Sequence, residues 1–87
     1  MDTVMLTKTR RSRLETLNAI LTTSSKGVKK THIMYRANLS HQQLEKFLEF
    51  LTSKGLLIKD GDYYNTTGKG LVFIEEFEKI QSLMSAS

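Results

Sequence analysis

The side chains that could take part in catalysis or hold a metal are few in this sequence. The chain has no cysteine and only two histidines, His32 and His41, which are isolated and too few for a zinc site. No pair of carboxylates has a spacing typical of acid–base catalysis. The run Gly68-Lys69-Gly70 lacks the further glycine and the Lys-Ser/Thr ending of a phosphate-binding loop, and we expect its glycines to permit close packing at the start of a helix. The sequence therefore predicts neither enzyme activity nor a metal or cofactor.

Cationic side chains are more numerous, and they are distributed unevenly along the chain. The 87 residues carry a net charge of +4, with a pI near 9.5. Residues 1–37 contain eight Lys or Arg and two acidic residues, a net charge of +6, whereas residues 38–87 have a net charge of −2. A chance excess of basic residues is one explanation. The asymmetry favours a first half that faces a polyanion such as DNA.

Length and composition also limit the kind of protein. A chain of 87 residues suffices for one domain with a small core, to which a partner subunit would add buried surface. The absence of cysteine gives no sign of an oxidising compartment, and the longest unbroken apolar run, residues 71–74, is too short to cross a membrane. The N-terminus lacks the apolar stretch of a secretory signal. We expect a soluble, cytoplasmic protein.

Apolar periodicity predicts where the first elements lie. Residues 1–10 have no periodicity and are expected to form a flexible basic arm. Helical spacing predicts a first helix over residues 11–23. Its inward side chains are expected to be Leu14, Leu17, Ile20 and Leu21. Val28 is expected to pair as a very short strand, and a second helix follows over residues 30–37.

A tight corner is predicted between the second helix and a third. Asn38 tolerates the left-handed backbone conformation that ends a helix. Ser40 is a good N-cap, and Gln43 completes a capping box, so a third helix is expected over residues 40–53, closed by Gly55. Its inward side chains are expected to be Leu44, Phe47, Leu48 and Leu51. Two helices joined in this way are typical of a helix-turn-helix.

The residues after the third helix predict a β-hairpin. Residues 56–59 and 62–66 are strand-like, and Asp60-Gly61 between them is favoured in two-residue turns with positive backbone angles. A hairpin directly after a helix-turn-helix is the wing of a winged-helix domain. Tyr63 and Tyr64 point to opposite sides of their strand, so one is expected in the core and the other exposed.

The last helix, which Thr67 is expected to cap, has too many apolar residues for one narrow stripe. Four of them have the alternating spacing of a coiled-coil seam: Phe73, Phe77, Ile80 and Met84. Three others are expected to face the domain: Leu71, Ile74 and Leu83. We therefore predict that the helix pairs with a second copy of the chain. The alternative is a helix that folds back and buries both faces in its own domain.

Four runs of the sequence carry a family resemblance: RLETLNAIL, KKTHIMYRANLS, LLIKDGDYYNTTGKG and FIEEFEKIQSL. They resemble the small basic archaeal winged-helix DNA-binding proteins associated with chromatin, and the resemblance extends over residues 13–83. It implies a winged-helix fold, DNA binding, and a homodimer formed through an antiparallel coiled coil of the C-terminal helices. Because the sequence ends at Ser87, this coiled coil is expected to be short.

The predicted DNA contacts fall into two groups. On the third helix, side chains that could reach base edges or phosphates are Ser40, His41, Gln42 and Lys46. Elsewhere, side chains that could each neutralise a phosphate are Arg10, Arg11, Arg13, Lys29, Lys30, Arg36 and Lys59. Glu45 and Glu49 would repel phosphates, which argues either against purely electrostatic, sequence-independent binding or for shallow docking that uses the wing and the arm more than the third helix. For His41 and Gln42, an ordinary solvated helix face is the alternative.

The predicted fold class is mainly α with a small β-hairpin. It comprises a winged helix-turn-helix domain over residues 11–66, preceded by the arm and followed by a dimerisation helix over residues 67–87. Two functions agree with this organisation. One is binding of double-stranded DNA by a homodimer, as a nucleoid-associated regulator or architectural chromatin protein. The other is a winged-helix module that binds proteins in a larger assembly.

Overall fold

The computed structural model describes residues 12–85, and in this part of the chain helices predominate over one small antiparallel sheet. In chain order the elements are α1 (Arg13–Thr23), a 3₁₀ turn (Ser24–Lys26), β1 (Val28–Lys29), α2 (Lys30–Ala37), α3 (His41–Ser53), β2 (Leu57–Asp60), β3 (Tyr63–Thr66) and α4 (Gly68–Ser85). The three strands lie in the order β1-β3-β2. The predicted fold class, mainly α with a hairpin and a C-terminal helix, is confirmed. The predicted arm, residues 1–10, lies outside the described residues.

The first helix begins later than predicted, because Ser12 rather than a preceding residue is its N-cap. The Ser12 hydroxyl accepts a hydrogen bond from the Glu15 backbone N–H at 3.1 Å, and the Glu15 carboxylate accepts one from the Ser12 N–H at 3.1 Å. This capping box satisfies two backbone donors that a helix start leaves free. α1 therefore begins at Arg13, and Arg11 lies outside the described residues.

The corner between α2 and α3 has the predicted chemistry. Asn38 is the one non-glycine residue in residues 12–85 with a positive φ, 55°, and its backbone N–H donates to the carbonyl oxygens of Met34 and Tyr35. The Ser40 hydroxyl accepts from the Gln43 N–H at 3.1 Å, and the Gln43 side-chain oxygen accepts from the Ser40 N–H at 3.0 Å. One helix thus ends and the next begins within three residues, without glycine or proline.

The wing is a hairpin whose turn lies one residue later than predicted. Asp60 pairs with Tyr63, so the two turn residues are Gly61 and Asp62 rather than Asp60 and Gly61. Gly61 has a φ of 64°, whereas Asp62 has no positive φ. A two-residue turn in which only the first residue has a positive φ requires glycine at that first position. Gly61 is therefore the first turn residue and Asp62 the second. Tyr64 is the core tyrosine, at 6% exposure, and Tyr63 is 48% exposed.

One hydrophobic core joins α1, α2, α3 and the sheet. Its buried side chains are Leu17, Ile20, Leu21, Ile33, Ala37, Leu44, Leu48, Leu51, Leu57 and Tyr64. A hydrogen bond of 2.6 Å from the Thr66 hydroxyl to the Leu21 carbonyl oxygen ties β3 to α1. Leu14 was predicted to be inward, but it is 54% exposed. Leu14 lines an open groove between the first turn of α1 and the end of α4, so it does not reach the core.

The last helix packs on the domain with part of its length only. The Thr67 hydroxyl accepts from the Gly70 N–H at 3.1 Å, which confirms the predicted cap. Phe73 and Ile74 pack against the core, and the Phe73 ring stacks on that of Phe77 with centroids 6.2 Å apart. Large apolar side chains remain exposed on α4: Leu71, Val72, Ile80, Leu83 and Met84.

Two expectations about this helix are therefore corrected. Leu71 and Leu83 do not face the domain, since they are 50% and 74% exposed. Phe73, predicted in the seam, is partly buried against its own core, and its place in a dimer seam stays a prediction. The fold-back alternative is also wrong, because a helix of 18 residues is about 27 Å long and extends beyond the surface that can cover it.

Gly70 and Gly68 offer a matched test of the packing at the start of α4. Gly70 is buried, and an added Cβ would overlap the Leu56 carbonyl oxygen and the Thr66 methyl group, whereas nothing lies within 4 Å of a Cβ at Gly68. We expect Gly70→Ala to lower the free energy of unfolding by about 1–3 kcal/mol. Gly68→Ala should leave it unchanged or raise it by roughly 0.5 kcal/mol. Urea denaturation measures both, and equal effects would contradict the predicted close contact.

Candidate nucleic-acid interface

The outward side of α3 is a polar ridge opposite the core side chains. We define this ridge as Gln42, Lys46, Glu49 and Ser53, all of which are exposed. Three buried leucines on the other side of the helix, at positions 44, 48 and 51, fix its orientation on the domain. The capping box at Ser40 fixes where the ridge begins. The helix therefore presents a fixed set of polar side chains to solvent.

One group of cations lies on the side of the ridge that faces the wing. We call Lys29, Lys30, His41 and Lys59 the wing-side cluster. Lys30, in the first turn of α2, donates to the Glu45 carboxylate at 2.5 Å, and His41 Nε2 lies 3.7 Å from the same oxygen. Lys29, Lys30 and Lys59 line a cleft of about 280 Å³ between α2 and the wing. The fold thus brings three of the predicted DNA-contacting residues, Lys30, His41 and Lys59, to one carboxylate, and Lys29 lines the same cleft as Lys30 and Lys59.

The contact between Lys30 and Glu45 changes the acidity of both groups. The hydrogen bond from Lys30 lowers the pKa of the Glu45 carboxyl group, and the positive charges of Lys30, His41 and Lys59 lower it further, against the opposing effect of burial. The same hydrogen bond raises the pKa of Lys30. Both groups are therefore charged at neutral pH, and they form a link between α2 and α3.

A second group of cations lies on the opposite side of the ridge. We call Arg13 and Lys54 the α1-side cluster. The Arg13 guanidinium lies over the rings of Phe50 and Phe47, 5.0 and 5.7 Å from their centroids, and the Lys54 ammonium lies 5.8 Å from the Phe50 centroid. Such cation–π contacts hold these charges at the surface beside α3. Phe47, predicted to be fully inward, is only partly buried because it forms this platform.

Two residues at the interface were not assigned from sequence. Lys54 was identified only as the basic end of a helix, although its position one turn after Phe50 could have suggested the ring contact. Tyr63 is exposed on the wing with Lys29 Nζ 5.9 Å from its ring centroid. Strand alternation could not choose between Tyr63 and Tyr64, and the cross-strand pairing of Lys29 with Tyr63 was needed to do so.

The remaining predicted contact residues are not part of either cluster. Arg36 is exposed on α2 and makes none of the contacts that define the two clusters. Arg10 and Arg11 lie outside the described residues. Within residues 12–85, no group of three or more His, Asp or Glu side chains is arranged to hold a metal ion. No helix in the same part of the chain has the length and apolar character needed to cross a membrane.

A recognition-type helix flanked by a corner and a β-wing is the arrangement of winged-helix domains, and the chain belongs to the winged helix-turn-helix family, whose model matches residues 10–85. It is 30% identical over 78 residues to an uncharacterized protein of Methanocaldococcus jannaschii, covering 88% of this chain and 80% of that one. It also resembles the crystal structure of Sso10a-2, a DNA-binding protein from Sulfolobus solfataricus. The TM-score is 0.71 at 28% identity, with 87% of each chain covered. The predicted resemblance to small archaeal winged-helix proteins is confirmed.

The link between Lys30 and Glu45 can be tested by titration. We expect Lys30→Met to raise the pKa of Glu45 toward its ordinary value of 4.5, because the hydrogen bond and the nearest positive charge are removed. NMR titration of the Glu45 side-chain carboxyl measures this. Lys79→Met is the control, since Lys79 pairs with Glu76 on α4. An unchanged Glu45 midpoint in Lys30→Met would contradict the contact.

The same shifts give the pH dependence of stability. The pKa of Glu45 is lowered on folding, so its contribution is complete above the unfolded pKa and is lost as the pH falls through the folded value. The pKa of Lys30 is raised, so its contribution is lost as the pH rises through its folded value. The link therefore stabilises the fold between these limits, and weakly, because both side chains are solvent-accessible.

Proposed function

We propose that the protein binds double-stranded DNA, with the ridge of α3 in the major groove and the wing along the backbone. The observation that carries this proposal is the position of the wing-side and α1-side clusters on the two sides of the ridge. A helix that enters the major groove has a phosphate backbone on each side, so cations are needed on both flanks. The similarity to a DNA-binding protein supports the same function.

The contacts that we propose follow from the chemistry of each side chain. Lys29 and Lys59 bind phosphates of one strand, beside Tyr63, which packs on sugar. Lys30, Arg36 and the N-terminal Arg10 and Arg11 add phosphate contacts, and Arg13 binds the other strand. On α3, Ser40 binds a phosphate, His41 or Lys46 a guanine or a phosphate, and Gln42 bonds adenine N6 and N7. Such binding associates the protein with the nucleoid.

Salt dependence measures the phosphate contacts directly. We expect binding of a random duplex to weaken with salt, and the double substitution Lys29→Ala/Lys59→Ala to reduce the log–log slope by about two, because each phosphate contact contributes about 0.9. Its affinity should fall about tenfold or more. Lys79→Ala, which removes one ion-paired lysine from α4, is the control and should change the slope by less than one.

The same measurement of duplex binding at different salt concentrations also tests the alternative function, a protein-binding module. Absence of duplex binding by the unsubstituted protein at low salt would contradict the proposal and would favour a protein-binding module. If binding occurs, its dependence on sequence separates two roles. A transcription regulator prefers a selected operator over random duplex at fixed salt, whereas an affinity ratio near one indicates an architectural chromatin protein.

We also propose that the protein forms a homodimer through α4. Leu14 and the exposed side chains Ile80 and Met84 lie around an open groove of about 740 Å³ between the start of α1 and the end of α4, with Phe77 inside it. Contiguous exposed apolar side chains of this kind are typical of interfaces. The predicted seam thus retains Phe77, Ile80 and Met84, with Phe73 supporting them from the core. Two subunits would place two α3 ridges in successive major grooves, about 34 Å apart.

The dimer proposal is tested by sedimentation equilibrium. We expect the unsubstituted protein to sediment with twice the chain mass and Ile80→Gln/Met84→Gln to shift it to the monomer, because burial of these side chains drives pairing. Val72→Gln is the control. Val72 is 54% exposed, close to the 56% of Ile80, but it does not line the groove. A monomeric unsubstituted protein, or a dimer that survives the double substitution, would contradict the proposed interface.

A further inference from the structure

We propose that Glu45 determines the base preference of the protein by accepting a hydrogen bond from cytosine N4 in the major groove. This inference rests on the proposed DNA binding and adds to it the residue that selects among sequences. Glu45 was expected from sequence only to repel DNA. Its surroundings in the folded protein give this carboxylate a second role, as an oriented acceptor at the edge of the recognition helix.

The carboxylate of Glu45 contacts side chains from two helices. Lys30 of α2 and His41 of α3 both approach one oxygen, Glu45 Oε2, at 2.5 and 3.7 Å. The other oxygen, Oε1, has no hydrogen bond or ion pair within residues 12–85. The Glu45 side chain is 46% exposed. The free oxygen therefore belongs to a carboxylate that the contacts at Oε2 orient, and it is open to solvent.

Glu45 also lies where a recognition helix contacts bases. It is in the second turn of α3, adjacent on the helix surface to the ridge residues Gln42 and Glu49, which are three residues before it and four after it. The N-terminal part of such a helix is the part that contacts base edges. Lys30 and Lys59 lie beside the carboxylate and reduce the repulsion that it would otherwise experience from phosphates.

The chemistry of a carboxylate selects one base. An ionised carboxylate only accepts hydrogen bonds, and in the major groove guanine and thymine present no donor. The N6 donor of adenine lies between two acceptors, its own N7 and O4 of the paired thymine, which repel the second carboxylate oxygen. The N4 donor of cytosine has an acceptor on one side only, O6 of the paired guanine. Glu45 is ionised at neutral pH, and at a site that offers guanine or thymine its Oε1 would be desolvated without gaining a hydrogen bond, although Oε2 keeps its contact with Lys30.

Glu75 is a matched control on another element. It is an exposed glutamate of α4 that lies outside the ridge and both clusters, and its carboxylate makes no ion pair within the part of the chain that the structure describes. Glu75→Gln removes one negative charge from the protein, as Glu45→Gln does. Only Glu45 lies beside the ridge with its carboxylate in contact with Lys30 and His41, so only its removal should change which base is preferred.

The experiment is selection from a pool of random duplexes, carried out with the unsubstituted protein, Glu45→Gln and Glu75→Gln. We expect the unsubstituted protein and Glu75→Gln to enrich cytosine at the same position. Glu45→Gln should replace cytosine by adenine there, because glutamine pairs with adenine N6 and N7. In the selected duplex, a change of that C·G pair to T·A should weaken the unsubstituted protein about tenfold and Glu45→Gln less than about twofold.

The outcomes separate this inference from the proposed function. Circular dichroism melting first establishes that each variant is folded. If the unsubstituted protein binds duplexes without base preference, or Glu45→Gln keeps the cytosine preference, the role of Glu45 is refuted while DNA binding stands. If Glu75→Gln also changes the preferred base, the change does not report a contact made by Glu45 and the inference fails. If the unsubstituted protein binds no duplex at low salt, DNA binding and the role of Glu45 fall together.

Discussion

The geometry of the candidate interface depends on the three-residue corner between α2 and α3. A helix that ends leaves carbonyl groups unpaired, and a helix that begins leaves N–H groups unpaired. The Asn38 N–H pairs with carbonyl groups at the end of α2, and the Ser40 side chain pairs with an N–H group at the start of α3. Because these hydrogen bonds lie within three residues, they determine the direction of α3 relative to α2. The contact between Lys30 and Glu45 then follows, because the first turn of α2 lies beside the second turn of α3. A longer or looser corner would separate the cations from the ridge that they flank.

The charges around α3 are balanced between affinity and selectivity. A surface made only of lysine and arginine would bind any duplex, because phosphates are the same at every position. The carboxylate of Glu45 within the wing-side cluster cancels part of this attraction, and so does Glu49 on the ridge. In the proposed complex with DNA, binding would then depend more on contacts that differ between bases. A cationic interface that retains two carboxylates would be better suited to discrimination than to maximal affinity.

The sequence predicted those features that depend on neighbouring residues. The N-caps at Ser40 and Thr67, the left-handed Asn38 and the hairpin after α3 all follow from chemistry within a few positions along the chain. The turn register was wrong by one residue, because both Asp60-Gly61 and Gly61-Asp62 satisfy the local pattern and cross-strand pairing decides between them. The site residues near α3 were predicted individually, but their grouping around Glu45 depends on the distance between helices, which the sequence pattern does not contain.

The partition of the apolar residues of α4 was the least predictable feature, for a physical reason. Helical spacing shows which residues share a face, but it does not show where along the helix the supporting domain ends. Phe73 and Ile74 lie where α4 crosses the core, and Ile80 and Met84 lie beyond it, where only the first turn of α1 is near. The first part of α4 therefore packs on the domain, and its last part exposes apolar side chains. In the proposed dimer, the side chains that pair and the ridge of α3 would therefore belong to different elements, so that one surface need not be used for both purposes.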